Sequence, residues 1–273
     1  MTASMLAALR YELTRIRTIR STWLLTGLAF VLGVLITLLV SWAAAHQFGE
    51  HGVRPGELGG LGPIVVTQLA ATGRVPSLVA FLMAIVGIFA WGHEYRHGMI
   101  RASLTALRSR ASLWVAKYVV CAMWAAVVTV VTMLVAGLVA SAFLGDYVHV
   151  FSGQTWAEIG RTEIYVVILT WLGMAFTAVT RSQAFALVML FLWPLLVEGL
   201  ITLVFTVVPG LNDYSDLTRF LPFRAGYQLL NVLSPGSSTF GQPLTALGGA
   251  VVFGGITAVL MIASRLLFGR RDA

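Results

Sequence analysis

Apolar residues in this chain come in long unbroken runs instead of the alternating or one-faced patterns of a water-soluble fold. Six runs stand out: Trp23 to Ala44, Ser77 to Gly92, Leu113 to about Phe143, Ile164 to Thr180, Ala184 to Val208, and Thr245 to Leu267. A bilayer core about 30 Å thick takes roughly 20 residues of helix, because lipid offers no partner for a bare amide or carbonyl. The runs therefore predict an all-α integral membrane protein with six crossing helices. The second and fourth runs are short and must borrow flanking residues; the third is long enough to tilt or to project into water.

A different pattern precedes the first run. Met5, Leu6, Leu9, Leu13 and Ile16 share one face at helical spacing, while Tyr11, Thr14, Arg15 and Thr18 share the opposite one. This predicts an amphipathic helix within residues 1–21 that lies along the membrane interface. Two long connections separate runs, His46 to Pro76 and Pro209 to Leu244. Within the second, Leu217 to Leu230 is too apolar for a free loop and is interrupted by Pro222 and Gly226, so residues 209–244 are expected to dip partly into the membrane. With no internal repeat and no soluble segment, residues 1–273 read as one domain.

Composition supports the pattern: 58% of residues are hydrophobic and 11% charged, against roughly 45–50% and about 25% in soluble domains. The charges are unevenly spread. Thirteen of the eighteen Lys and Arg residues fall before the first run, between the second and third or just inside the third (Lys117), in the tight turn at Arg181, or at and after the end of the sixth (Arg265, Arg270, Arg271), where only Glu12, Glu94 and Asp272 oppose them. Cations flanking spans are retained on the cytoplasmic side, which predicts both termini inside a bacterial cytoplasmic membrane. The net charge of +7 then reflects topology and contact with acidic lipid, not nucleic acid. Arg outnumbers Lys 17 to 1, a composition that suits a GC-rich bacterial genome. The small residues Ala43-Ala44-Ala45 follow too long an apolar run for a secretory signal, so the first helix is expected to be uncleaved. A single cysteine, Cys121, excludes an internal disulfide framework.

One loop carries two competing motifs. His93-Glu94-Tyr95-Arg96-His97 is formally the H-E-x-x-H of zinc metallopeptidases, in which two His hold the metal and the Glu activates water. It lacks an evident third ligand, since His46, His51 and His149 fall in the opposite set of connections and Gly98 weakens the helix. Over a longer window, Ile100, Leu104 and Leu107 line one face of a short helix beside Arg101, Thr105 and Arg108, and Ser109 or Ser112 is placed to cap the third span. Glu94-Tyr-Arg-His-Gly98-Met-Ile-Arg101, followed by Ser103-Leu104 and Ser109-Arg110, resembles the E-x-x-x-G-T-(I/L)-(R/K) signature of ABC-2 type transporter permeases, with Met99 where Thr is common. The entry helix, the six spans and Leu221-Pro222-Phe223 before the last span extend the likeness over nearly the whole chain.

That resemblance implies a permease subunit of an ABC-2 type exporter. Residues 93–112 would form a cytoplasmic coupling loop, with Glu94, Gly98, Ile100, Arg101, Leu104, Arg108 and Arg110 engaging a separate ATPase. Glu94 and Arg101 are the candidate hinge ion pair, and the entry helix corresponds to the family's elbow helix. The implied partners are two copies of the ATPase, which carries the ATP and Mg, and a second permease, identical or homologous. Its substrate would be hydrophobic or amphipathic, such as a drug, lipid or peptide. Neither a P-loop nor a Gly-x-Ser-x-Gly is present, so no catalytic residue, cofactor or metal is assigned to this chain. The competing expectations are a zinc metallopeptidase using His93, Glu94 and His97, and a non-catalytic membrane scaffold or immunity protein. Glu198, alone among the acids deep in an apolar run, is the substrate-path candidate. A charge there costs about 2.5–3.5 kcal/mol unless it faces the bundle or a cavity, and Pro194 is expected to bend the helix beside it.

Overall fold

The computed structural model describes residues 2–51, 78–99, 109–145, 153–230 and 244–271. Helix α1 spans Thr2–Thr18, α2 Arg20–His51, α3 Leu78–Arg96, α4 Arg110–Leu144 and α5 Gly153–Thr180. Helix α6, Gln183–Leu192, continues through a π-helical turn at Trp193–Val197 into α7, Glu198–Val207. A 3-10 segment at Asn212–Phe220 leads into the short α8, Pro222–Tyr227, and α9 spans Ala246–Arg271. Among the described residues six helical units are long and apolar enough to cross a membrane: α2, α3, α4, α5, the continuous α6–α7 unit, and α9.

The fourth span begins earlier than the apolar run that announced it. Helix α5 starts at Gly153, so Glu158, Arg161 and Glu163 lie within it and not in a connection before it. Glu158 and Arg161 sit one turn apart and pair at 3.1 Å, which lets the helix carry them. The bend expected near Pro194 takes the form of the π turn. Proline has no N–H to donate, and the wider i→i+5 turn accommodates it, with the Glu198 N–H bonding to the Trp193 carbonyl.

Two spans form the centre. In α3 67% of the apolar window is buried inside the chain and in α5 61%, against 22% in α2 and 17% in α9. Their backbones approach closely at Gly87 and Gly173. A methyl group on Gly87 would sit 2.9 Å from side-chain carbons of Met174 and Thr170, and one on Gly173 would sit 3.1 Å from Ile88. Small residues permit such an approach where lipid supplies no hydrophobic drive between helices. Buried hydroxyls at Thr37, Thr170, Thr177, Thr202 and Thr257 each bond to the carbonyl four residues earlier, so none needs water.

The entry helix meets the bundle along one edge of its apolar arc, where Ile16 is buried and Leu9 and Leu13 pack beside it. Ala8, Glu12 and Ile16 are its buried stripe, whereas Leu6 is 51% exposed. Arg15, assigned to the polar face, turns inward. The contact face is rotated by roughly 70° from the apolar arc at 3.6 residues per turn, because Glu12 and Arg15 have charged partners in the bundle.

Candidate functional site: a buried ionic cluster at the α3 terminus

Helix α3 ends by a specific device. Gly98 takes φ +65°, the Met99 N–H bonds to the Glu94 carbonyl at 3.0 Å, and the Gly98 N–H bonds to the Tyr95 carbonyl at 3.4 Å. This is a Schellman stop, for which glycine is the favoured residue because a β-carbon is penalised at positive φ. The Glu-x-x-x-Gly spacing thereby acquires a structural meaning: it fixes the carboxylate one turn before the helix end. Across the loop, Ser109 caps α4 by accepting the Ser112 N–H at 3.3 Å. Arg110 is the first residue of α4. Ile100, Arg101, Leu104 and Arg108 lie outside the described residues.

Glu94 points into the bundle. Its Oε1 accepts from Lys117 Nζ at 2.5 Å and from Arg15 Nη1. Lys117 also donates to Glu12 Oε1 at 2.8 Å, and Arg15 Nε lies 3.1 Å from Glu12 Oε2. Arg15 Nη2 further donates to the Ala90 carbonyl at 2.6 Å. Two carboxylates and two cations from α1, α3 and α4 thus form a closed, net-neutral group, with Lys117 and Glu12 fully buried. Such charges survive removal from water only when each is paired and hydrogen-bonded. Burial alone would lower the pKa of the Arg15 guanidinium, but Glu12 and Glu94 outweigh that effect and raise it.

An aromatic shell surrounds the cluster. The Lys117 ammonium lies 5.1 Å from the centroid of the Trp91 ring, a cation–π distance. Trp91 meets Phe268 of α9 edge-on at 5.2 Å, and Trp114 donates to Ser264 of α9 at 3.3 Å. Arg181, in the turn between α5 and α6, lies over the Tyr95 ring at 5.7 Å. The end of α1, the end of α3, the start of α4, the α5–α6 turn and the end of α9 therefore gather at one end of the bundle.

The geometry does not suit Glu94 for the metallopeptidase role. The His97 ring nitrogen bonds to the His93 carbonyl at 2.9 Å and the His93 ring stacks on Phe89, while Glu94 is held by cations on the inward side. Among the described residues no three His, Cys, Asp or Glu side chains come together to hold a metal.

Glu198 occupies a second polar site farther along the bundle. It is 1% exposed, and its two oxygens accept the N–H groups of Phe223 and Arg224 at 2.8 and 2.9 Å. These are unpaired donors of the first turn of α8, where Pro222 already dispenses with one. Arg224 reaches back to the hydroxyls of Thr202 and Thr218 at 2.8 and 2.9 Å. The segment Asn212–Tyr227 is thus tied to the fifth span. Below Pro222 and Phe223 an apolar cavity of about 360 Å³ opens between α5, the π turn and α9, with Trp193 and Leu260 on its walls.

A family model described as ABC-2 family transporter protein matches residues 8–209. The chain belongs to the ABC-2 transporter family. No curated protein matches it. In this ABC-2 permease the matched region contains all four members of the ionic cluster, the Glu94-to-Gly98 helix stop and Glu198, while the Glu198 partners on α8 lie beyond it. Sequence reasoning singled out Glu94 and Gly98 but missed Glu12, Arg15 and Lys117 as a group. A usable signal existed: the chain's one lysine lies seven residues into an apolar helix, and an ammonium there requires an acid nearby.

Proposed function

We propose that this ABC-2 permease is one half of an exporter for a hydrophobic or amphipathic substrate, driven by a separate ATPase that supplies the nucleotide site. The observation that carries the coupling part is the ionic cluster joining α1, α3 and α4 immediately beside residues 93–112. In this reading both termini are cytoplasmic in a bacterial inner membrane, the cluster lies at the cytoplasmic end, and residues 209–244 face outward. Two ATPase copies grip the loop through Ile100, Leu104, Arg108 and Arg110, and a second permease completes the pathway. Force on the loop reaches Glu94 through the rigid Gly98 stop. From Glu94 it passes to Arg15 and Lys117, so α1, α3 and α4 shift together between two arrangements of the bundle.

Residue 101 is the expected partner of Glu94 when the loop is loaded; in the described structure Arg15 and Lys117 hold that carboxylate. The reading is tested by co-purifying the permease with its ATPase and measuring ATP hydrolysis and substrate movement in vesicles. Replacing Leu104 and Arg108 together by Ala is expected to leave the spans folded and ATP hydrolysis running while transport falls at least ten-fold. Unchanged coupling, or purification without any P-loop protein, overturns it.

A further inference from the structure

Two arginines in the last turn of α1 have opposite surroundings. Arg15 is locked into the ionic cluster, whereas Arg17 is exposed and among the described residues is in no ion pair. Arg17 stands at the head of a groove of about 340 Å³ between the end of α1, the start of α2 and α4. The head of the groove is aromatic: Trp23 and Trp124 meet edge-on with centroids 5.3 Å apart. Both indole N–H groups are used internally, Trp23 donating to the Arg17 carbonyl at 2.8 Å and Trp124 to Thr26 Oγ1 at 3.0 Å. Beyond Trp124 the wall is Val127, Val128 and Val131, which lie roughly 5–10 Å farther along α4 at 1.5 Å per residue. The groove thus sets an exposed arginine and an indole rim, at the end of two membrane helices, beside an apolar trough leading toward their middle. Indoles sit by preference at the headgroup level of a bilayer, and a guanidinium there favours an anionic oxygen.

We propose that this groove binds one phospholipid with an anionic headgroup, its phosphate against Arg17 and one acyl chain over Trp124 along the three valines. The charge complementarity selects an acidic lipid over a zwitterionic one, in which the choline cation offsets the phosphate. The site also has a mechanical position. Arg15 fastens the end of α1 from inside the bundle, and a lipid on Arg17 fastens the same turn from outside. Acidic lipid therefore favours the arrangement in which the ionic cluster is closed.

The test uses the full chain reconstituted in phosphatidylcholine vesicles containing a small fraction of phosphatidylglycerol with brominated acyl chains, which quench nearby indoles. The Trp124 signal is isolated by difference against Trp124→Phe. Quenching of Trp124 is expected to saturate at a mole fraction of brominated phosphatidylglycerol about five-fold below that needed with brominated phosphatidylcholine, the preference one surface cation confers. Arg17→Gln is expected to abolish that preference, Arg17→Lys to retain it, and Arg10→Gln, an exposed cation elsewhere on α1, to leave it unchanged. Equal quenching by the two lipids, or a preference that survives Arg17→Gln, overturns the proposal. So does loss of the preference on adding inorganic phosphate, which would make this a site for free anion and not for lipid.

Discussion

Glu94 and Glu198 are both almost completely buried, yet they are satisfied by different means. Glu94 is neutralised by side chains from two other helices, Arg15 of α1 and Lys117 of α4. Glu198 is held by two backbone N–H groups at the start of α8, with Arg224 turned to the adjacent threonines. Backbone donors are fixed to their helix, so the Glu198 site clamps one segment onto one span. Side-chain cations on long stems follow the carboxylate when helices slide, so the Glu94 cluster can stay paired through a rearrangement of α1, α3 and α4. The coupling role proposed for the Glu94 cluster depends on bonds of the side-chain kind.

The comparison breaks most sharply at Lys117. Lys117→Met leaves Glu12 and Glu94 buried without one of their two shared cations and is expected to destabilise the protein by about 3–5 kcal/mol, read from reversible unfolding in detergent micelles. A loss below about 1 kcal/mol would mean the carboxylates are not held as ions and would remove the ionic lattice from the account. Glu198→Ala should cost less, about 1.5–3 kcal/mol for hydrogen bonds made by a charged acceptor. Glu198→Gln, which keeps one acceptor, should recover about half of that; if Gln matches Ala, the N–H contacts are not the source. In vesicles, neither Glu198 variant should separate ATP hydrolysis from transport, whereas Glu94→Gln should.

Smaller effects test the frame around Glu94. Gly98→Ala meets no neighbour within 4 Å, so its expected cost of about 1–2 kcal/mol comes from the left-handed backbone alone. A negligible cost, measured in the same unfolding assay, would show that α3 does not stop as described. Ser109→Ala removes the cap of α4 and should cost about 1 kcal/mol, with hydrogen exchange rising first at residues 110–113.

Much of the architecture was written in hydropathy. Six runs became six membrane-crossing units, Pro194 disturbed its helix, Gly98 ended α3 and Ser109 capped α4, because each depends on local chemistry that needs no distant partner. Where charges interrupted a run, reading by hydropathy failed: α5 reaches back to Gly153 because Glu158 and Arg161 satisfy each other one turn apart. Arg15 of α1 was read onto the polar face, yet it turns inward because Glu12 and Glu94 are its partners.

The sequence by itself determined that the chain fills a bilayer with helices and where most of them end, because lipid forces every backbone group to bond within its own segment. The tertiary structure alone decided which helices are central and which charges meet. The two least hydrophobic spans, α3 and α5, each with mean hydropathy 1.6, form the centre, since a helix shielded from lipid by its neighbours can carry glycine, threonine and a paired acid. Glu12, Arg15, Glu94 and Lys117 span more than a hundred positions of chain, and only packing brings them within bonding distance.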